Sequence, residues 1–263
     1  MNIIGPFITK ALLIRSDGTH YFWNSRFHRK HHNLLDNGTE STWWAPGAVA
    51  WWIGVLFAVG ATLFALGSLP LYIKWAGLYT DSITYFVGSI FFTSAAFLQY
   101  IETVNSQKNL GSVKLEEKLR LLTWEPRRID WIASVVQLIG TVFFNLSTFY
   151  AINIYMSVQQ INHQVWVPDV YGSICFLIAS GFVWIEVGHG LFSFNRRNIS
   201  WQIAVLNLIG SVAFGISAVS AFIIPTTGQP VDLTYQNFGT FIGGICFLAA
   251  AVLLLPERTN SLK

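Results

Sequence analysis

The chain has 263 residues, of which 53% are hydrophobic and only 11% are charged. Because a water-soluble domain carries about 25% charged residues, this composition excludes a soluble globular protein, and it also excludes intrinsic disorder and a secreted disulfide scaffold. The net charge is only +3, and both cysteines lie within apolar runs, so neither a disulfide framework nor a thiolate metal site is indicated.

The first element in chain order is a basic, aromatic N-terminal segment, residues 1–47, which is predicted to be cytoplasmic. Its apolar start, residues 1–14, is too short for a cleavable signal peptide and is interrupted by Pro6 and Lys10. Residues 20–32 mix aromatic rings with cations, which favours contact with anionic lipids of the inner leaflet. A basic tail with a few interfacial aromatic residues is the alternative.

Three histidines of this segment, His28, His31 and His32, have the spacing of one histidine box of the membrane desaturases and hydroxylases. The resemblance implies several such boxes around two irons, whereas this chain has six histidines in all. A membrane enzyme that uses this cluster is therefore the third of three functional hypotheses. Incidental metal or phosphate binding by a basic tail is favoured over a di-iron site.

Six apolar segments are long enough, or nearly so, for helices that cross the hydrocarbon core, which takes about 20 residues. None of them contains Asp, Glu, Lys, Arg or His, and the alternation typical of a transmembrane barrel is absent. All eight prolines lie outside these segments or at their ends, so continuous helices are predicted. The predicted spans are residues 48–69, 83–101, 131–152, 170–185, 201–224 and 238–255.

Positive charge is distributed very unevenly between the two sides of these spans. Of the 16 lysines and arginines, 15 lie in the N-terminal segment, the connector 103–130, the loop 187–200 or the tail 258–263. The three loops on the opposite side have only Lys74. By the positive-inside rule, both termini are predicted to be cytoplasmic.

The spans also repeat in pairs. Each odd span has a tryptophan, a glycine nine residues later and a phenylalanine four residues further on; each even span has Gly-x3-Phe and a glutamate 14 residues after the glycine. We therefore predict an all-α membrane protein of six transmembrane helices, arranged as three tandem two-helix hairpin repeats at residues 48–102, 131–186 and 201–257. The odd frames are Trp51, Gly60, Phe64; Trp131, Gly140, Phe144; and Trp201, Gly210, Phe214. The even frames are Gly88, Phe92, Glu102; Gly172, Phe176, Glu186; and Gly243, Phe247, Glu257.

One stretch resembles a known family. Trp124-Glu-Pro-Arg-Arg-Ile-Asp-Trp131, with the segment from Gln137 to Thr148 that follows it, is similar to bacterial membrane proteins with YrhK-like domains. The resemblance covers the two-helix unit and implies a helical hairpin fold in a bacterial inner membrane. It implies no activity and no catalytic residues.

The three repeat-equivalent glutamates, Glu102, Glu186 and Glu257, are predicted at the cytoplasmic ends of the even helices. One hypothesis places them as a ring around a cation or a polar headgroup. Because a carboxylate at a helix C-terminus is disfavoured by the helix dipole, the other hypothesis is that each has a cationic partner nearby. The candidate partners are Arg127 or Arg128, Arg196 or Arg197, and Arg258.

The third span carries a polar stripe, and the fifth repeats part of it. Steps of three or four residues place the stripe on one helical face, which is predicted to point into the bundle. Interhelical hydrogen bonds are favoured, and a small-ligand pocket is the alternative. The stripe comprises Ser134, Gln137, Thr141, Asn145 and Thr148, with Asn207 and Ser211 in the fifth span; Gln137, Thr141, Asn145, Asn207 and the three glutamates are the candidate ligand-binding residues.

The chain has no nucleotide-binding glycine loop, zinc-protease motif or nucleophile elbow, so no catalysis and no cofactor are expected. The favoured function is a non-enzymatic integral membrane module that associates through its helices or binds a small ligand or lipid through the inward polar face. The runner-up is a channel or passive transporter along the pseudo-threefold axis. Expected partners are the lipid bilayer and anionic inner-leaflet lipids, with a homo-oligomer left open and no nucleic acid.

Overall fold

A computed structural model describes residues 2–4, 7–14, 20–30, 42–106, 119–188 and 195–257. The predicted fold class is confirmed: the chain is predominantly helical, and six helices are long and apolar enough to cross a membrane. The helices are α1 (Ser25–Lys30), α2 (Val49–Gly67), α3 (Pro70–Ala76), α4 (Leu78–Asn105), α5 (Ile129–Ala151), α6 (Val158–Gly188), α7 (Ile199–Ser220) and α8 (Leu233–Glu257).

The N-terminal segment contains a small antiparallel sheet that the sequence analysis did not predict. Its strands β1 (Asn2–Ile4), β2 (Phe7–Ile14) and β3 (His20–Asn24) lie in the order β1-β2-β3. The register pairs Lys10 with Asn24 and Ile14 with His20. Strand β3 leads directly into α1, so the sheet positions that short helix.

The six long helices form a closed ring. Each hairpin supplies two neighbouring helices, α2 with α4, α5 with α6, and α7 with α8. Between hairpins, α4 packs on α5, α6 packs on α7, and α8 returns to α2. A central axis therefore runs through the bundle, with every long helix beside it.

Six phenylalanines fill the middle of this axis, one from each long helix. Phe64, Phe144 and Phe214 form one triangle, with ring centroids 5.8 to 6.3 Å apart. A second triangle has centroid distances of 5.7 to 6.1 Å, and each of its rings lies 5.1 to 5.4 Å from a ring of the first. We call these six residues the aromatic prism; the second triangle is Phe92, Phe176 and Phe247.

The two helices of each hairpin approach most closely at a pair of glycines. A Cβ on Gly172 would lie 2.8 Å from the ring of Phe144, and one on Gly140 would lie 2.9 Å from the ring of Phe176. Gly60 with Gly88, and Gly210 with Gly243, make the corresponding contacts with prism rings in the other hairpins. The residues that the sequence frames equate thus make equivalent contacts, and this packing requires the absence of side chains at the crossings.

The helices extend beyond most of the predicted spans, most of all in the fourth. Helix α6 begins at Val158, and its residues Ile161–Trp166 form a π-helical stretch in which the Val167 N–H donates to the Asn162 carbonyl. Pro168 therefore lies within a helix, and the prediction that every proline lies outside the helices or at their ends is wrong there. A π turn already shifts the ladder of hydrogen bonds, so it can accommodate a residue that has no N–H.

Two tryptophans, each in the first turn of a long helix, are buried. Trp51 and Trp131 are 8% and 7% exposed. Trp44 packs edge-on against Trp51, and Trp124 packs edge-on against Trp131, both with centroids 5.3 Å apart. The paired tryptophans therefore pack against each other at the start of α2 and α5, because an aromatic pair gains more from edge-to-face contact than from a free surface.

The opposite end of the bundle is closed by short elements. Strands β4 (Ile223–Ile224) and β5 (Gln229–Pro230) form a hairpin whose turn includes Gly228 at a φ of +67°. The Asn162 amide donates to the Ile223 carbonyl at 2.7 Å and accepts from its N–H at 3.0 Å. These bonds fix the additional N-terminal turns of α6 against the loop between α7 and α8.

Candidate functional site

The three candidate glutamates lie at one end of the bundle, where α4, α6 and α8 end and α2, α5 and α7 begin. We call Glu102, Glu186 and Glu257 the glutamate collar. Their exposed fractions are 0%, 1% and 3%. Buried carboxylates at helix C-termini are unfavourable without nearby cations, because the helix dipole and the loss of water both disfavour the charge.

Helix α1 supplies the cations. Arg26, Arg29 and Lys30 are spaced by three and four residues, so their side chains leave one face of the helix. All three are buried, with exposed fractions of 7%, 5% and 4%. A six-residue helix thus presents three positive charges toward the end of the bundle.

Both arginines bind their glutamates through two hydrogen bonds. Arg26 donates from Nε and Nη2 to the two carboxylate oxygens of Glu257, at 2.7 and 3.1 Å. Arg29 donates from Nη1 and Nη2 to Glu186, at 3.2 and 3.1 Å, and Ser25 donates its hydroxyl to the same carboxylate. This paired geometry matches the planar guanidinium to the planar carboxylate, which makes it the strongest kind of ion pair.

Lys30 binds the third glutamate through a single contact. Its Nζ lies 2.7 Å from Oε2 of Glu102. The other oxygen, Oε1, is buried without a hydrogen-bond partner in the described part of the chain. Each glutamate of the collar therefore binds one cation of α1, and Glu102 forms the fewest hydrogen bonds of the three.

Three further charged residues, Asp130, Arg128 and Glu125, belong to the network. Asp130, 4% exposed at the start of α5, lies 3.2 Å from Nη1 of Arg29 and 2.6 Å from Nη2 of Arg128. Arg128 also binds Glu125 at 2.6 Å and donates to the Thr103 carbonyl at 3.0 Å. Among the described residues of the network, four buried or half-buried cations face five carboxylates, of which Glu125 is half-buried, so the net charge is −1.

Each collar glutamate binds a cation of α1 that was not among the predicted partners. A loop arginine such as Arg128 was expected to neutralise Glu102, but it binds Glu125 and Asp130. Arg258 lies outside the described residues. The glutamates bind α1 because its helical spacing lets three cations reach three helix ends at once.

Burial and the neighbouring carboxylates shift the pKa values of Arg29 and Arg128 in opposite directions. Burial lowers the pKa of Arg29, but Glu186, Asp130 and Glu102 outweigh it, and the net pKa is raised well above its usual value. For Arg128, burial also lowers the pKa, while the charge and hydrogen bonds of Asp130 and then Glu125 raise it overall. Both guanidinium groups therefore remain charged at any pH at which the protein is folded.

Helix α1 caps this end of the bundle. A cavity of about 40 Å³ lies between α1 and the aromatic prism. We call it the cap cavity. Its polar lining comes from Gln99, Gln137 and Asn207 in three different helices, and its apolar floor includes Phe57 and Phe247. The cationic side chains of α1 and Asp130 also line it. Gln137, Asn207 and Phe57 occupy the same offset from the tryptophan of their respective odd helices.

The polar stripe of α5 divides between this cavity and helix packing. Gln137 accepts from the Gln99 amide at 3.0 Å at the cavity wall. Deeper in the bundle, Asn145 donates to the Thr93 hydroxyl at 2.8 Å. Thr141 is fully buried and donates to the Leu138 carbonyl of its own helix, at 2.7 Å, and Thr148 bonds Ser89 at 2.9 Å.

The side chains of the histidine cluster lie outside the part of the chain that the structure describes. The backbone of His28 lies in α1, its side chain is not described, and His31 and His32 lie outside the described residues. Within the described ranges, no three Cys, His, Asp or Glu side chains converge as a metal site would require.

Sequence reasoning located the collar but missed the residues that bind it, namely Ser25, Arg26, Arg29, Lys30 and Ser200. Ser200 donates to Glu257 at 2.6 Å. The available signal was the match between three cations on one helical face and three equivalent glutamates. That match was obscured because the same cations, interleaved with aromatic rings, are also typical of a membrane-surface segment.

No protein-family model, no curated protein and no solved structure matches this chain.

Proposed function

We propose that the chain is a non-enzymatic integral membrane module that binds a small polar ligand in the cap cavity, with α1 as its cap. The observation that carries the proposal is a partly enclosed space lined by three amide side chains and by the charged face of α1. A space built only for helix packing would be filled by apolar side chains, because buried amides without partners are costly.

The amides at the cavity wall are incompletely bonded. Gln99 donates to Gln137, which leaves the NH₂ group of Gln137 outside that bond. No described residue forms a hydrogen bond to the side-chain amide of Asn207. Thr141 and Thr148, by contrast, bond within the helix bundle, which fits a packing role.

A channel along the axis is the weaker proposal. The closed ring of six helices around one axis favours it. Two obstacles stand along that axis, the ion-paired cap and the aromatic prism. Permeation would need both to move, whereas ligand binding in the cap cavity needs at most the cap to open.

The architecture and the membrane setting are part of the same proposal. The recurring glycine and phenylalanine contacts support three tandem hairpin repeats, and the YrhK-like resemblance supports a bacterial inner membrane. The cation asymmetry supports an orientation with both termini inside. In intact cells, an impermeant maleimide should label a cysteine placed at Gln229 and spare one at Asn198; the opposite labelling pattern would invert the orientation.

The cavity proposal predicts different outcomes for two positions of the same stripe. Gln137→Leu removes an amide at the cavity wall, so a small molecule that co-purifies with the protein should be lost in native mass spectrometry. Asn145→Leu removes only a bond to Thr93, worth about 0.6–2 kcal/mol, so Tm in detergent should fall while the bound molecule stays. If both variants retain the same bound mass, or if the wild-type protein neither carries a bound molecule nor is stabilised by an added one, the cavity has no ligand function.

A further inference from the structure

We propose that the ligand of the cap cavity is a small monovalent anion. This inference rests on the proposed binding function and specifies its chemistry. It follows from three features of the cavity, namely the charges on its walls, an unused buried donor and its size.

The charges that face the cavity are mainly positive. Arg26, Arg29 and Lys30 all line it, whereas Asp130 is the only carboxylate among the described residues that does. The collar glutamates bind these cations without contributing to the cavity lining. An occupant would therefore meet three cationic side chains directly, with their counter-charges placed behind them.

The buried donors also exceed what the protein uses. Nε of Arg29 is buried and has no hydrogen-bond partner in the described part of the chain, although Nη1 and Nη2 of the same guanidinium are both bonded. Buried donors without a partner are rare, and a bound water or ion is one of their recognised explanations. The amide NH₂ groups of Gln137 and Asn207 add neutral donors to the same wall, and an acceptor-rich ligand would satisfy all three.

The size of the cavity restricts the anion. A volume of about 40 Å³ corresponds to about three water molecules, so halides, nitrate and formate fit and gluconate does not. The floor of Phe57, Phe247 and Ala250 offers no hydrogen bonds. An anion that loses its water at low cost, such as nitrate, should bind better than a strongly hydrated one, such as fluoride.

The test measures Tm of the purified full-length protein in detergent at constant ionic strength, with sodium gluconate exchanged stepwise for sodium nitrate or chloride. A ligand present at ten times its Kd should raise Tm by about 3 °C relative to gluconate. The rise should disappear in Gln137→Leu and in Arg29→Lys, which keeps the positive charge but removes the Nε donor. Asn145→Leu, which lies below the cavity, should retain the rise.

Any one of three results would contradict the proposal that the ligand is an anion. These are an equal Tm in all salts, a rise in Tm that persists unchanged in Gln137→Leu, and a stabilisation by fluoride as large as that by nitrate. If native mass spectrometry then still shows a bound neutral molecule that Gln137→Leu removes, the binding function stands and only the anion fails. If no bound molecule of any kind is found, both proposals fail together.

Discussion

Arg26→Ala is expected to release α1 from the end of the bundle. Arg26 makes two hydrogen bonds to Glu257, and both side chains are less than one-tenth exposed. Removing one member of a buried ion pair typically costs about 3–5 kcal/mol, because the other charge is left without a partner. Hydrogen exchange of the α1 amides, residues 25–30, should therefore accelerate about 10²–10⁴-fold.

Arg197→Ala is the matched control for this variant. It removes an arginine at the same end of the bundle, but from an exposed loop position, where a cation contributes about 0–1 kcal/mol. Exchange in α1 should then stay within a few-fold of the wild-type rate. Equal acceleration in the two variants would mean that α1 is held in place by the total positive charge at this end of the bundle, and not by the ion pair between Arg26 and Glu257.

Gly172→Ala is expected to destabilise the whole bundle. The added Cβ would lie 2.8 Å from two ring carbons of Phe144 and 3.2 Å from the Gly140 carbonyl oxygen. The ring cannot move away freely, because it packs against Phe64, Phe176 and Phe214 in the aromatic prism. Overpacking of this kind costs about 1–3 kcal/mol, which for a chain of this size lowers Tm by several degrees.

Gly181→Ala is the control for that variant, in the same helix. A Cβ on Gly181 meets nothing within 4 Å. Alanine is a better helix former than glycine by about 1 kcal/mol, so Tm should stay the same or rise. A fall in Tm at Gly181 as large as that at Gly172 would show that the effect does not come from the hairpin crossing.

The six spans could be predicted because the bilayer imposes them. A span needs about 20 apolar residues, and its backbone must be satisfied within the helix, so composition locates every span and, apart from the start of α6, places its ends to within about five residues. The glutamates at the ends of α4, α6 and α8 followed from a fixed distance to glycines such as Gly88. The prism was implicit in the same frames, because the phenylalanines repeat at the offsets that face the axis.

The cap could not be predicted, because its signal has two physical explanations. Cations and rings in residues 20–32 suit a headgroup surface as well as they suit a buried acidic site. Only the three-dimensional position of α1 decides between them for Arg26, Arg29 and Lys30, which face the collar. Contact of the rest of the segment with anionic lipids stays a prediction.

The extension of α6 escaped prediction for a local reason. Pro168 and the polar residues before it, such as Asn162 and His163, are typical of a loop. The π-helical stretch accommodates the proline, and the bonds of Asn162 to Ile223 hold the added turns in place. A local sequence pattern reveals neither feature. The π-helical stretch is a rare helix geometry, and the bonds of Asn162 are made to a residue distant in sequence.

A double-mutant cycle on Arg26 and Glu257 tests most directly whether α1 is held on the collar by its ion pairs. The cycle compares hydrogen-exchange free energies of the α1 amides in Arg26→Ala, Glu257→Ala and the double variant. We expect a coupling energy of about 2 kcal/mol or more, so that the second substitution costs little once the first has been made. If the two single effects add to within about 0.5 kcal/mol, the residues do not interact, and α1 does not cap the bundle in the way described.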